Sequence, residues 1–248
     1  MAECTGRTHP VSVGVYKRHI RLVRYLNDTW IFTALMRPEL KEQADILRSS
    51  KSKAKKKYPV PKKDSTVTSR RYDSDLGQIY FAQYDRGIFE TNIISIVSRV
   101  EAFIQECMTI AISQEPKKLA IIGDKGIPLD LFLASETHAD LLRGYIALRC
   151  QDLMFGKPTD YLAKAQKVLS ISIGDSVSKK FIEMKASRDV IIHNQGEINQ
   201  IYLDKVTTEK RGKVGDELVI DADYFGEVVR NAKLLSGAIQ RETERKYK

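Results

Sequence analysis

A mostly helical chain, with one small β-hairpin set before the last helix, is the fold class this sequence predicts. Three observations point there. Apolar residues recur at helical spacing through long stretches, and proline and glycine fall between those stretches. Only near residues 201–220 does the pattern turn to short alternating runs around a glycine-rich turn. At 248 residues and 42% hydrophobic, the chain has enough apolar material for a sizeable core.

Residues 1–14 read as a frayed tail. From Val15 to Met36, apolar residues including Leu22, Val23, Leu26 and Trp30 fit one amphipathic helix. Arg37-Pro38 should interrupt it, because the residue before a proline avoids the α region. Pro38 can then open a second helix reaching about Arg48. The stretch 48–71 combines two prolines, many serines and threonines, and a dense basic charge, so a flexible loop is expected there. The chain thus divides into an N-terminal helical extension (1–47), a basic flexible loop (48–71) and a helical domain (72–248).

Within that domain, Ile93, Val97, Val100, Ile104, Cys107, Met108 and Ala111 give the stretch Glu90 to Ile112 a broad apolar face. Further helices are expected from His138 to Phe155, from Thr159 or Asp160 to Leu169, and from Asp175 toward Asn194, with Gly196 placed to end the last. Ile201 to Val206 and Glu217 to Ile220 are expected to pair as the hairpin. Asp221 or Asp223 should cap a final helix from about Tyr224.

The charge is concentrated. Between Arg48 and Arg71 stand ten Lys or Arg against Asp64 alone, so this segment carries the whole formal net charge of +9. Such a stretch suits a phosphate-rich partner, and Lys53, Lys55, Lys56, Lys57, Lys62, Lys63, Arg70 and Arg71 are its candidate RNA-binding side chains. No stretch approaches the roughly 18 uncharged residues of a membrane span, so no membrane partner is expected. Cys4, Cys107 and Cys150 form no Cys-x-x-Cys pair, which suits a reducing, cytoplasmic setting better than a disulfide framework or structural zinc.

Most chemical motifs are missing. Gly123 to Gly126 lacks the Lys-Ser/Thr ending of a phosphate loop, and there is neither a His-Glu-x-x-His nor a Gly-x-Ser-x-Gly. Asp73 with Asp75, and Asp221 with Asp223, stand before expected helices and suit caps. No metal or cofactor is therefore implied. Of the histidines, His9 lies in the tail, His19 fits a satisfied core position and His138 fits a helix start.

His193 stands apart. On the helix from Asp175, Val177, Phe181, Met184, Arg188 and Ile191 share one stripe, which places a permanent charge at an apolar position. Such a guanidinium must be paired or face a ligand. His193 lies about 140° further round a straight helix. The two converge only if the helix end unwinds near Asn194 and Gly196, or if a second copy completes the site. An imidazole titrates near neutral pH and can take a 2′-hydroxyl proton, while an arginine can hold the phosphate bidentately. The competing structural reading is an ion-paired Arg188, with Asp189 or Glu101 as partner, and a helix-capping His193. Glu101 itself is expected to be surface-exposed.

The string SRDVIIHNQG, Ser187 to Gly196, resembles the signature of the HEPN superfamily: Arg, a polar residue, three mostly apolar residues, then His. Asn194 and Gly196 also look like many members, and Asn92 to Met108 is similar to the first core helix of several groups. The resemblance covers roughly residues 88–245. It implies a HEPN-like helical bundle, a homodimer with both motifs facing one cleft, and metal-independent endoribonuclease activity yielding 2′,3′-cyclic phosphate ends. Toxin or antiphage roles with an antitoxin or defence-complex partner belong to the same implication. Arg188 and His193 carry over as the catalytic pair, with Asp189 and Asn194 beside them. Asp189 stands where Asn is commoner, and Gln195 where a variant of the family carries a modifiable Tyr. The alternative is a non-catalytic module of this kind that binds RNA, a nucleotide or a protein.

Overall fold

A computed structural model describes residues 8–123 and 125–248. The described residues are mostly helical, with one two-stranded antiparallel hairpin. In chain order the elements are α1 (Pro10–Ser49), β1 (Lys56–Lys62), β2 (Ser65–Arg71), α2 (Asp73–Ala82), a π-helical turn (Gln83–Gly87) and α3 (Ile88–Gln114). Then follow α4 (Leu119–Ile122), α5 (Leu129–Ala134), α6 (His138–Met154), α7 (Pro158–Leu169), α8 (Asp175–His193), α9 (Gln200–Lys205) and α10 (Ala222–Lys246).

The central element is α3, apolar on several sides because its neighbours cover it. Phe89, Ile93, Val97, Val100, Ile104, Cys107 and Met108 are fully or almost fully buried. Antiparallel to it runs α1: Arg18 bonds Glu106, Tyr25 bonds Ser95, Asn92 bonds Thr33, and Arg37 reaches the carbonyl of Tyr84. The last helix, α10, also packs on α1, with Trp30 stacked on Phe225 at 5.5 Å and Lys233 bonded to Asn27. The stretch expected as an N-terminal extension therefore contributes Val15, Leu22 and Leu26 to the common core.

Four expectations need correction. First, Pro38 does not break α1, which is one helix of 40 residues. Its ring removes the donor for the Ala34 carbonyl, but Ala34 and Pro38 are both exposed, so water can serve that oxygen. Arg37 meanwhile lies 4.6 Å from the centres of both the Tyr84 and Phe89 rings, holding the helix to its neighbours through that turn. Second, His9 is not in a frayed tail: its Nδ1 accepts from the Val11 amide at 3.2 Å and caps α1.

Third, residues 56–71 are not a flexible loop but the hairpin itself, with Val60 opposite Val67 and Lys63-Asp64 at the tip. Neither tip residue has a positive φ, so the Asn-Gly signature of a type I′ turn is absent from the sequence. Fourth, no strand forms at 201–206. Asn199 accepts from the Tyr202 amide and caps α9, and Ile198, Tyr202 and Val206 are buried at a spacing of four, which is helical. All that remains of the expected late hairpin is one bridge between Glu197 and Glu217.

Candidate functional site

Helix α8 carries the site. It is packed against α3, α7, α9 and α10, with Phe181, Met184, Ala186, Ser187 and Val190 buried. Its end is fixed by the backbone. Asn194 and Gly196 both donate their amides to the Val190 carbonyl, at 3.0 and 3.1 Å. Gln195 and Gly196 then turn through positive φ values of 53° and 86°. The chain so redirected lets the Gly196 carbonyl accept from the Leu218 amide at 2.8 Å. Gly196 is favoured by its backbone: a Cβ there would be strained by φ, and the end of the flexible Arg86 side chain would have to move aside.

Arg188 and His193 both line one depression of about 430 Å³, with Lys185, Asp189, Tyr202 and Lys205 among the other walls. His193 is the last residue of α8, so the helix does not unwind before it; the groove simply spans the arc between the two side chains. The Arg188 side chain is 21% exposed, its Nη1 donates to Asp189 at 3.1 Å, and its Nη2 stands 3.5 Å from the Ser98 hydroxyl. Nε is buried and makes no hydrogen bond. Arg188 is thus half-buried in its apolar stripe, with Asp189, the partner named by the structural reading, as its ion pair and Nε left without one.

Asp189 takes bonds from Lys185 at 2.8 Å, Lys205 at 3.1 Å and Arg188. Burial works against its charge, but the bonds from Lys185, Lys205 and Arg188 win and hold its carboxyl below the usual range. One carboxylate therefore organises three cations, and the groove lining stays net positive. Asn194 lies on the far side of His193, in an adjoining depression, where its side-chain amide donates to the Glu197 carbonyl and secures the turn.

Glu101 is not surface-exposed, as expected from the sequence, but lies at the rear of this cluster with its side chain 16% exposed. Tyr161 donates to it at 3.2 Å, and Lys185 is 3.8 Å away. Burial raises its carboxyl above the ordinary range, against the pull of Lys185 and Arg188. Two participants escaped sequence reasoning. Lys205 was hidden in the expected strand, and Arg86 is aimed by the π turn at Glu90, Glu217 and Gly196. Such turns often mark functional positions.

The basic side chains gather elsewhere. Lys57, Lys62, Arg70 and Arg71 stand on the hairpin and Lys63 at its tip, all exposed. Lys55 covers the Tyr72 ring at 4.7 Å, and Lys56 pairs with Asp73 at 2.8 Å. That pairing ties the hairpin to the start of α2 and the end of α1, where Ser50 also bonds Asp73. Ser98, which faces Arg188, lies about 25 residues further along, up to ~37 Å away at the rise of a helix. Lys53 precedes the hairpin and is likewise exposed.

The fold and site together define a mostly helical protein with a cationic groove at one helix end and a separate basic hairpin. Compared with known proteins, the chain matches no family model, no curated protein and no solved structure.

Proposed function

We propose that the chain is a metal-independent endoribonuclease whose groove at the end of α8 holds one phosphodiester between Arg188 and His193. The observation that carries this reading is the common groove: a half-buried guanidinium with unspent donors and an exposed imidazole line the same depression. In the reaction, His193 takes the proton of a 2′-hydroxyl, and the 2′-oxygen attacks the adjacent phosphorus. The bond from phosphorus to the 5′-oxygen breaks, and that oxygen leaves with a proton returned from the imidazolium. The products are a 2′,3′-cyclic phosphate and a 5′-hydroxyl. Arg188 neutralises the phosphate oxygens as charge builds, while Asp189 holds Arg188, Lys185 and Lys205 in place. A cytoplasmic homodimer setting two such grooves side by side, in a toxin or antiphage role under a restraining partner, belongs to the same proposal.

The test is incubation of purified protein with structured and unstructured RNAs, with and without EDTA. Cutting that survives EDTA and disappears in Arg188→Ala and His193→Ala is the expected outcome. Salt-sensitive binding without scission would instead favour a non-catalytic RNA-binding module. Retention of function on loss of His193 would favour a protein-docking role.

A further inference from the structure

The hairpin has a layout that a merely solubilising charge run does not need. Strand alternation places Lys57, Pro59 and Pro61 on one face with their partners Arg70, Thr68 and Thr66. Lys56, Tyr58, Val60 and Lys62 take the other face, with Arg71, Ser69, Val67 and Ser65. Lys57 and Arg70 are direct cross-strand partners, and like charges so placed repel. Asp73 serves Lys56, but among the described residues no carboxylate pairs with Lys57 or Arg70. The first face therefore has a doubled positive charge at its base and Lys63 at its tip. Between them lies an uncharged span of two prolines and two threonines.

We infer that this ribbon lies across the minor groove of an A-form RNA duplex, which makes the substrate of the proposed cleavage an RNA with a double-stranded arm. This rests on the ribonuclease reading only for the cleavage; the duplex binding stands by itself. From Lys57 to Lys63 the ribbon spans about 20 Å at the rise of an antiparallel strand. Its charged ends are far enough apart to reach phosphates on both rims of the wide, shallow minor groove of an A-form helix. The Thr66 and Thr68 hydroxyls fall in the middle of that span, where a wide, shallow minor groove presents 2′-hydroxyls. DNA offers none there.

Other occupants fit less well. Single strands are bound on aromatic platforms, yet the ribbon's one aromatic, Tyr58, is on the opposite face and the neighbouring Tyr72 ring is already covered by Lys55. Addition of a foreign strand to β1 is blunted by Pro59 and Pro61, which lack the amides it would need. With the ribbon at one end of the α1–α2 pair and the groove up to ~37 Å along the same helical run, a bound duplex would place its cut a fixed number of nucleotides from the contacted stem.

The test measures binding of a blunt RNA duplex of about 20 base pairs, the same duplex in DNA and the single RNA strand, across a range of salt. Full-length His193→Ala is used so that no probe is cut. RNA duplex is expected to bind at least roughly tenfold more tightly than the other two. Lys57→Ala/Lys63→Ala/Arg70→Ala should weaken it by tenfold or more and make the salt slope shallower by about 2–3, near one per lost phosphate contact. Thr66→Val/Thr68→Val should remove the preference for RNA over DNA and leave the salt slope unchanged. Unaltered circular dichroism checks that the exposed substitutions leave the fold intact. Equal binding of duplex DNA or of the single strand, or full affinity in the triple variant, would overturn the inference. Duplex binding of this form by a wild type that cuts nothing would sink the cleavage reading alone; cutting with an indifferent ribbon would sink this inference alone.

Discussion

On one flank of α8, Glu183 is buried and accepts hydrogen bonds from Ser187 at 2.6 Å, Tyr202 at 3.3 Å and Tyr224 at 3.1 Å. On the other flank, Arg188 is also withdrawn from solvent, yet one of its nitrogens makes no hydrogen bond and another reaches Ser98 only at 3.5 Å. The same helix thus holds two costly groups in opposite conditions. A buried polar group that has found all its partners specifies packing. One left short of partners, beside an open groove and an exposed imidazole, still has donors that a ligand could use. The contrast is between the two side chains and not between the flanks as wholes, since Glu183 also borders a depression of about 490 Å³ where Arg211 has a buried Nε without a hydrogen bond.

Substitutions can break that contrast. The largest effect is expected at the groove: His193→Ala or Arg188→Ala should reduce RNA cleavage by ~10²–10⁴-fold. Neither should cost more than about 1 kcal/mol in urea unfolding, because neither side chain fills the core. Glu183→Ala should do the reverse. It strands three hydroxyls at about 1 kcal/mol or more each, for a loss of ~3 kcal/mol, while cleavage per folded molecule stays near wild type. If Arg188→Ala destabilises as much as Glu183→Ala, both side chains are structural and the contrast fails.

Gly196→Ala comes next. A side chain there meets both the positive φ and the Arg86 guanidinium, so ~1–3 kcal/mol should be lost. Because the same turn ends the helix at His193, cleavage should fall as well, which a thermal melt and a rate measured on one preparation would reveal together.

The smallest effect is in pH dependence. Burial holds the Glu183 carboxyl above its ordinary value of 4.5, against the opposing bonds of Ser187, Tyr224 and Tyr202. The folded chain therefore binds this proton more readily than the unfolded one, so this contribution is full below about 4.5 and fades as pH rises through the elevated folded value. Asp189 has the opposite sign. Its folded value is depressed, so its contribution is present above the unfolded range and is lost as pH falls through the folded one. Unfolding curves of Glu183→Gln should lose the decline with rising pH, whereas those of Asp189→Asn should lose part of the decline toward acid.

Much of this was legible in the residues. Helical spacing located the stretches that became α3, α6, α7, α8 and α10, because burial on one side leaves a period in the sequence. Arg188 announced itself as a charge in an apolar stripe. What stayed hidden depends on partners distant in sequence. Pro38 is tolerated because the Ala34 carbonyl that loses its donor belongs to an exposed residue, which local rules do not encode. The hairpin turns on a tip without the usual glycine, and its strands are basic enough to read as disorder. Lys205 reaches the groove from a helix taken for a strand, and Arg86 reaches the Gly196 turn from a π turn that no residue pattern signalled. Glu101 looked like a surface acid because the groups found beside it, Tyr161 and Lys185, come from α7 and α8, far along the chain.

The central claim is that Arg188 and His193 act on one ribose-phosphate linkage through its own 2′-oxygen. The most direct measurement replaces the single nucleotide 5′ to a mapped cut with its 2′-deoxy form and compares product ends in EDTA. Cleavage at that linkage alone should vanish, with cyclic phosphate still forming at any other cut. Continued scission at the deoxy position, or ends bearing a 5′-phosphate, would contradict the claim.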